Sequence, residues 1–150
     1  MTLSYYDKHW KEVGWGSEKN GTQEEYEAWR AMTEGGIAGR WAPCSYMIGI
    51  VTRRQAGTKR LPEWEEAGAI AAATQNMYLQ STKFPNLACY WSSWHEAARD
   101  SDEMKEFLGM DAEDKCMGFF IVAQRDVENS TAMKDRRSRQ RSLMEVKWRK

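Results

Sequence analysis

The segment from Trp64 to Ser81 constrains the fold of this chain more than any other feature. Its eighteen residues read WEEAGAIAAATQNMYLQS. Apolar residues recur with helical spacing along one side, and the other side carries alanine and glycine rather than charge. Pro62 suits a helix start because its missing N–H needs no partner there. A helix that is small or apolar nearly all round is usually buried, so we expect a central helix or one at a subunit interface.

Apolar runs of strand length lie on both sides of this helix. Residues 46–52 and 115–123 are continuous apolar runs, which are typical of central strands covered on both faces. Residues 87–91 predict a shorter strand, and residues 143–148 alternate enough to form a final one. Together these patterns predict an α+β fold, with a central sheet flanked by helices and one long buried Ala-rich helix.

The first 41 residues differ from the rest by their many aromatic side chains and glycines. We expect a loop or a short helix at the start, followed by a capping box formed by Thr22 and Glu25. The helix that follows should end near Met32, ahead of Gly35 and Gly36. We therefore divide the chain into an aromatic-rich segment, 1–41, that packs on the domain or on a partner, and a main domain, 42–150.

The composition is that of an ordinary soluble domain of 150 residues, with 41% hydrophobic and 29% charged residues. No apolar run approaches the roughly 18–20 residues needed to cross a bilayer. The first residues lack the pattern of a signal peptide, so no targeting segment is visible and either a cytoplasmic or an organellar location fits. The three cysteines, which are far apart, are expected to be free thiols.

The net charge is zero, but positive charge is concentrated at the end of the chain. Residues 134–150 hold eight Lys or Arg against Asp135 and Glu145, a net charge of +6. Such a tail can bind a phosphate group or an acidic surface, or simply be solvated. Nucleic-acid binding is not expected, because the tail contains only one aromatic residue, Trp148. His95 has no second histidine nearby, so no metal site is expected.

Several short motifs, in the same order along the chain, resemble those of the flavin-dependent nitroreductase family. The resemblance spans about residues 42 to 150, and its main element is the Ala-rich helix followed by an aromatic and hydroxyl turn. The matching segments are Ala42-Pro43, Gln75-Asn76-Met77 with Leu79, Tyr90-Trp91-Ser92-Ser93, Phe107-Leu108-Gly109-Met110 with Glu113 to Cys116, and Arg139-Gln140-Arg141.

This resemblance implies a homodimeric flavoprotein, an oxidoreductase that uses FMN and takes its electrons from NAD(P)H. By analogy with the family, Trp91, Ser92 and Ser93 would contact the flavin ring. Arg139 and Arg141 would face its phosphate, because a guanidinium forms bidentate, charge-assisted hydrogen bonds with phosphate oxygens. The resemblance identifies no catalytic side chain, since the hydride chemistry belongs to the cofactor.

Two features of the family are not found in these 150 residues. Family members begin with an Arg-Arg-Ser-x-Arg-like motif and continue with an Ala-Pro-Ser-x-x-Asn-like helix start, and both contact the flavin. Arg53-Arg54 and Arg136-Arg137 lack the sequence context to replace them. Either the sequence is part of a longer protein or the chain has lost its flavin. A second hypothesis therefore stays open: a catalytically silent, nitroreductase-like accessory subunit that binds other proteins in a larger assembly.

Overall fold

The computed structural model describes residues 1–15, 21–55, 57 and 60–125, and within them it forms an α+β fold. In chain order the elements are α1 Thr2–His9, α2 Gln23–Arg40, β1 Cys44–Thr52, α3 Glu63–Ser81, β2 Leu87–Ser92, α4 Glu96–Arg99, α5 Asp102–Leu108 and β3 Lys115–Gln124. The class predicted from sequence is confirmed. The final strand expected at residues 143–148 lies outside the described residues.

The three strands form an antiparallel sheet in the order β1-β3-β2. Of the two apolar runs, only β3 is central, and its Ile121 is 2% exposed. Among the described residues the prediction that 46–52 is a central strand was wrong, because β1 lies at an edge of the sheet they form and its Tyr46 is 69% exposed. An apolar run predicts that a segment forms a strand, but it does not predict which strands will lie beside it.

A hydrophobic cluster covers the part of the sheet that lies under α5. Met104 of α5 is completely buried and packs with Cys116, Phe119 and Ile121 of β3. Trp41 and Trp94 close the sides of this cluster, with ring centroids 5.3 Å apart. Burial of a side chain of this size stabilises a fold by roughly 1.5–3 kcal/mol, so this cluster is a main source of stability.

The Ala-rich helix α3 contacts both edge strands but is mostly exposed. Only Glu66 and Thr74 are buried along it, and Trp64 is 73% exposed. The expectation of a buried helix was therefore wrong for the single chain, because a sheet of three strands covers only a narrow stripe of the helix. Its place at a subunit interface stays a prediction.

The N-terminal segment is organised around an aromatic cluster. Tyr6, Trp15 and Tyr26 are buried together, and Ala98 of α4 completes the cluster. The Tyr26 hydroxyl donates to Asp7 at 2.8 Å, and Arg30 binds the same carboxylate through Nε at 2.6 Å. These contacts join α1, α2 and α4.

Helix α2 begins as the sequence predicts and ends later. The Thr22 and Glu25 capping box is present in both directions. The expected end near Met32 was wrong, because the helix runs through Gly35 and Gly36 to Arg40. Glycine lowers helix stability by about 1 kcal/mol per residue but does not prevent helical hydrogen bonds.

A bulge in β3 brings the chain close to the end of β2. Gly49 pairs with Phe119 and Val51 with Cys116, so two residues of β3, Met117 and Gly118, oppose one residue of β1. Gly118 has φ +100°, and a side chain there would overlap the carbonyl of Ser92. Only glycine combines this backbone conformation with such a close approach.

We expect Gly118→Ala to lower the free energy of unfolding by about 2–4 kcal/mol, through backbone strain and the clash with Ser92. Urea denaturation followed by circular dichroism measures the change. Gly68→Ala is the matched control, because Gly68 lies inside α3 with open space around it. That variant should gain about 0.5–1 kcal/mol. Equal effects of the two substitutions would refute a special role for Gly118.

Candidate functional site

Trp91, near the end of β2, and the turn that follows it are both held in fixed positions. The indole N–H of Trp91 donates to the carbonyl of Met117, in the β3 bulge, at 2.8 Å. The Ser92 hydroxyl accepts the N–H of Trp94 at 3.2 Å. Trp94 itself has φ +64°, which is rare for an aromatic residue, and its indole N–H donates to Thr2 at 2.8 Å. The turn is therefore held from three sides, and Trp91 remains 38% exposed.

An open cavity of about 1000 Å³ lies in front of Trp91. Trp91 and Ser93 form part of its wall, and Met110 and Met117 add apolar surface. A cavity of this size falls in the range of sites for small molecules and cofactors. The remaining wall is strongly charged and comes from the loop after β1, the start of α3, the helices α4 and α5, and the chain before β3.

Five cationic side chains line this cavity, and each is paired with a carboxylate. The pairs are Arg54 with Glu66, Arg60 with Glu113, Arg99 with Asp100, Lys105 with Asp102 and Lys115 with Glu63. The positive charge that an anion requires is present, but a ligand must compete for it.

The pairs differ in how tightly they are held. Arg54 and Glu66 are 16% and 7% exposed, and breaking such a buried pair leaves an uncompensated charge. Arg60–Glu113 and Lys115–Glu63 lie in solvent, where ion pairs contribute little. Arg60 and Lys115 can therefore turn toward a ligand, whereas Arg54 supports the structure.

Asp114 ties the loop after β1 to the chain that leads into β3. Its carboxylate, on a residue only 4% exposed, accepts the backbone N–H groups of Asp111 and Arg54, each at 3.0 Å. The hydrogen bond from Asp111, followed by that from Arg54, lowers the pKa of Asp114 below its ordinary value. The negative form of Asp114 thus fixes the backbone of Arg54.

The structure places the site residues predicted from sequence in different surroundings. Trp91 and Ser93 lie together at the cavity, and the Ser92 hydroxyl is used inside the turn. Arg139 and Arg141 lie outside the described residues. The sequence interpretation missed Arg60 and Lys115, and it set Arg54 aside for lack of a family motif. They were missed because they are far from Trp91 in sequence and reach the same cavity only in the folded chain.

The described part of the chain contains no group of three or more His, Cys, Asp or Glu side chains arranged to hold a metal ion. Among the same residues, no helix combines the length and apolar character needed to span a membrane. No protein-family model, no curated protein and no solved structure matches this chain. The resemblance to nitroreductases therefore stays a prediction.

We expect Asp114→Asn to reduce the dependence of the free energy of unfolding on pH at acid pH. Because the folded-state pKa of Asp114 is lowered, its contribution is full above the ordinary pKa of aspartate, about 3.9. That contribution is lost as the pH falls through the folded-state value, and the variant should lose this pH dependence. Urea denaturation between neutral and acid pH measures it.

Glu106→Gln, at an exposed position of α5, is the control for removal of one negative charge. An Asp114→Asn protein that keeps the full acid dependence of the parent would contradict the assignment.

Proposed function

We propose that this chain is an FMN-dependent NAD(P)H oxidoreductase of the nitroreductase type that acts as a homodimer. The observation that supports it best is the exposed face of Trp91 in a cavity rimmed by Arg60 and Lys115. An aromatic wall next to cationic groups is complementary to a flat ring that carries a phosphate.

The wall around Trp91 fits the ring of the cofactor. The hydrogen bond to Met117 fixes the edge of the indole, so its face is presented without further loss of side-chain freedom. Ser93 adds a hydroxyl group, and Met110 and Met117 add polarizable apolar contacts. For Ser92 the proposed role is structural, because its hydroxyl accepts the N–H of Trp94 and orients the backbone of the turn.

The phosphate requires cations that can leave their present partners. Charge-assisted hydrogen bonds contribute about 1.5–3 kcal/mol each, more than exposed ion pairs usually do. Arg60 and Lys115 therefore fit the phosphate among the described residues, and Arg139 and Arg141 remain candidates from the sequence. A bound flavin would supply hydride transfer from NAD(P)H, while the protein residues bind and orient.

We expect the purified chain to bind FMN and to quench its fluorescence. Trp91→Ala should weaken that binding about tenfold or more, because it removes the aromatic wall. Fluorescence titration measures the dissociation constant. Phe84→Ala is the matched control, since Phe84 is an exposed aromatic residue in the turn before β2 and does not line the cavity. Its affinity should equal that of the parent.

If the chain carries no yellow colour once unbound FMN has been removed, the proposal is contradicted. NADH oxidation by the FMN-loaded chain, with a nitroaromatic or quinone acceptor, then tests the reaction itself. Binding of FMN without oxidation of NADH or NADPH would limit the function to cofactor binding.

A second candidate function is a catalytically silent accessory subunit that binds other proteins. The observation that favours it is the amount of exposed apolar surface on α3 and β1, where Tyr46, Ile48, Trp64 and Leu79 are all exposed. Large exposed apolar patches mark protein interaction sites. The carboxylate partners of the cavity cations also weaken the case for an anionic ligand.

The two candidates predict different behaviour of the purified chain. A yellow homodimer in sedimentation velocity, after addition of FMN, supports the oxidoreductase. A colourless monomer whose apolar surface binds a hydrophobic dye supports the accessory subunit.

A further inference from the structure

A second, smaller cavity of about 170 Å³ lies between the end of β1 and the start of α3. Thr52 comes from β1, and Glu66 and Ala67 come from α3. Arg54, Lys115 and Met117 border this cavity and the larger one, so the two are neighbours. Trp91 does not line the smaller cavity, although Lys115 and Met117 line both cavities.

Two residues that line this cavity each carry a buried polar atom with no hydrogen-bond partner among the described residues. These atoms are Oε1 of Glu66 and Oγ1 of Thr52, and both residues are only 7% exposed. The other carboxylate oxygen of Glu66 is bound by Arg54. Buried polar atoms without partners are unfavourable and uncommon, so a complementary group is expected next to these two.

The chemistry of the two atoms selects the kind of group that fits. A carboxylate oxygen only accepts hydrogen bonds, and a threonine hydroxyl can accept as well as donate. The complementary group must therefore donate. Glu63, Glu66 and Glu113 at the wall are paired with Lys115, Arg54 and Arg60. A positively charged donor is favoured because the unpartnered Oε1 of Glu66 belongs to a carboxylate, and charge-assisted hydrogen bonds are the stronger ones.

The volume and the apolar wall restrict the size of the ligand. A water molecule occupies about 30 Å³ in the liquid, so 170 Å³ holds about five non-hydrogen atoms. Ala67 and Met117 offer contact to a short alkyl chain. A primary ammonium group has three donors, enough for Glu66, Thr52 and one further acceptor.

We propose that this cavity is a binding subsite for the ammonium group of a small primary amine. Glu66 Oε1 and Thr52 Oγ1 accept the hydrogen bonds of the ammonium group, and the carboxylate of Glu66, whose other oxygen binds Arg54, attracts its charge. The short alkyl chain lies against Ala67 and Met117. This subsite does not require flavin, so its test is separate from that of the proposed oxidoreductase.

The test is a titration of the ¹⁵N-labelled full chain with n-butylammonium, followed by NMR. We expect saturable shifts of the Thr52 and Glu66 amides, with half-saturation on the order of 1 mM for a ligand of five non-hydrogen atoms. n-Butanol and butyrate are the matched probes of similar length. They should bind at least about tenfold more weakly, because they lack the positive charge.

Thr52→Val should weaken butylammonium binding about fivefold by removing one acceptor, and it leaves the Arg54–Glu66 pair intact. Glu66→Gln should weaken it more than about tenfold by removing the charge. The control is Thr74→Val. Thr74 is another buried threonine, and its hydroxyl donates to the carbonyl of Ile70 within α3. Its affinity should match that of the parent.

Three results would overturn the proposal. The absence of saturable shifts well above the expected concentration would mean that the cavity holds only water. Equal binding of butanol would show that charge is not recognised. Unchanged binding by Thr52→Val, together with loss in Thr74→Val, would place the amine elsewhere.

Discussion

The buried ion pair between Arg54 and Glu66 is the interaction on which the arrangement of this chain depends. It joins the loop after β1 to the first turns of α3, and α3 has few other buried side chains to hold it. Arg54 also donates to the carbonyl of Leu61, while Asp114 accepts its backbone N–H. One arginine thus connects the sheet, the loop and the helix.

This connection determines the character of both cavities. Arg54 lies in the wall that they share, with its charge already compensated by Glu66. The larger cavity is left with exposed, exchangeable cations near Trp91, and the smaller one with two buried oxygen atoms, of Thr52 and Glu66, that have no partner among the described residues. The two ligands that we propose, an anionic aromatic cofactor and a small cation, would therefore lie on different sides of the same arginine.

Local sequence patterns predicted those features well that depend only on residues close together in the sequence. The capping box at Thr22 and Glu25 and the apolar run of β3 both act within a few residues. The position of β1 and the exposure of α3 depend on how many strands the chain supplies, which no local pattern contains. Trp91 was singled out through a resemblance to a family motif, whereas Arg60 and Lys115 reach the cavity only through tertiary contacts.

The most direct test of this account is a double-mutant cycle with Arg54→Met and Glu66→Leu. Each single change should lower the free energy of unfolding by about 3–5 kcal/mol, because the remaining charge is buried without its partner. The double variant should lose little more than either single one, which gives a coupling energy of at least about 2 kcal/mol. Additive effects, within about 0.5 kcal/mol, would show that the pair does not hold α3 to the sheet.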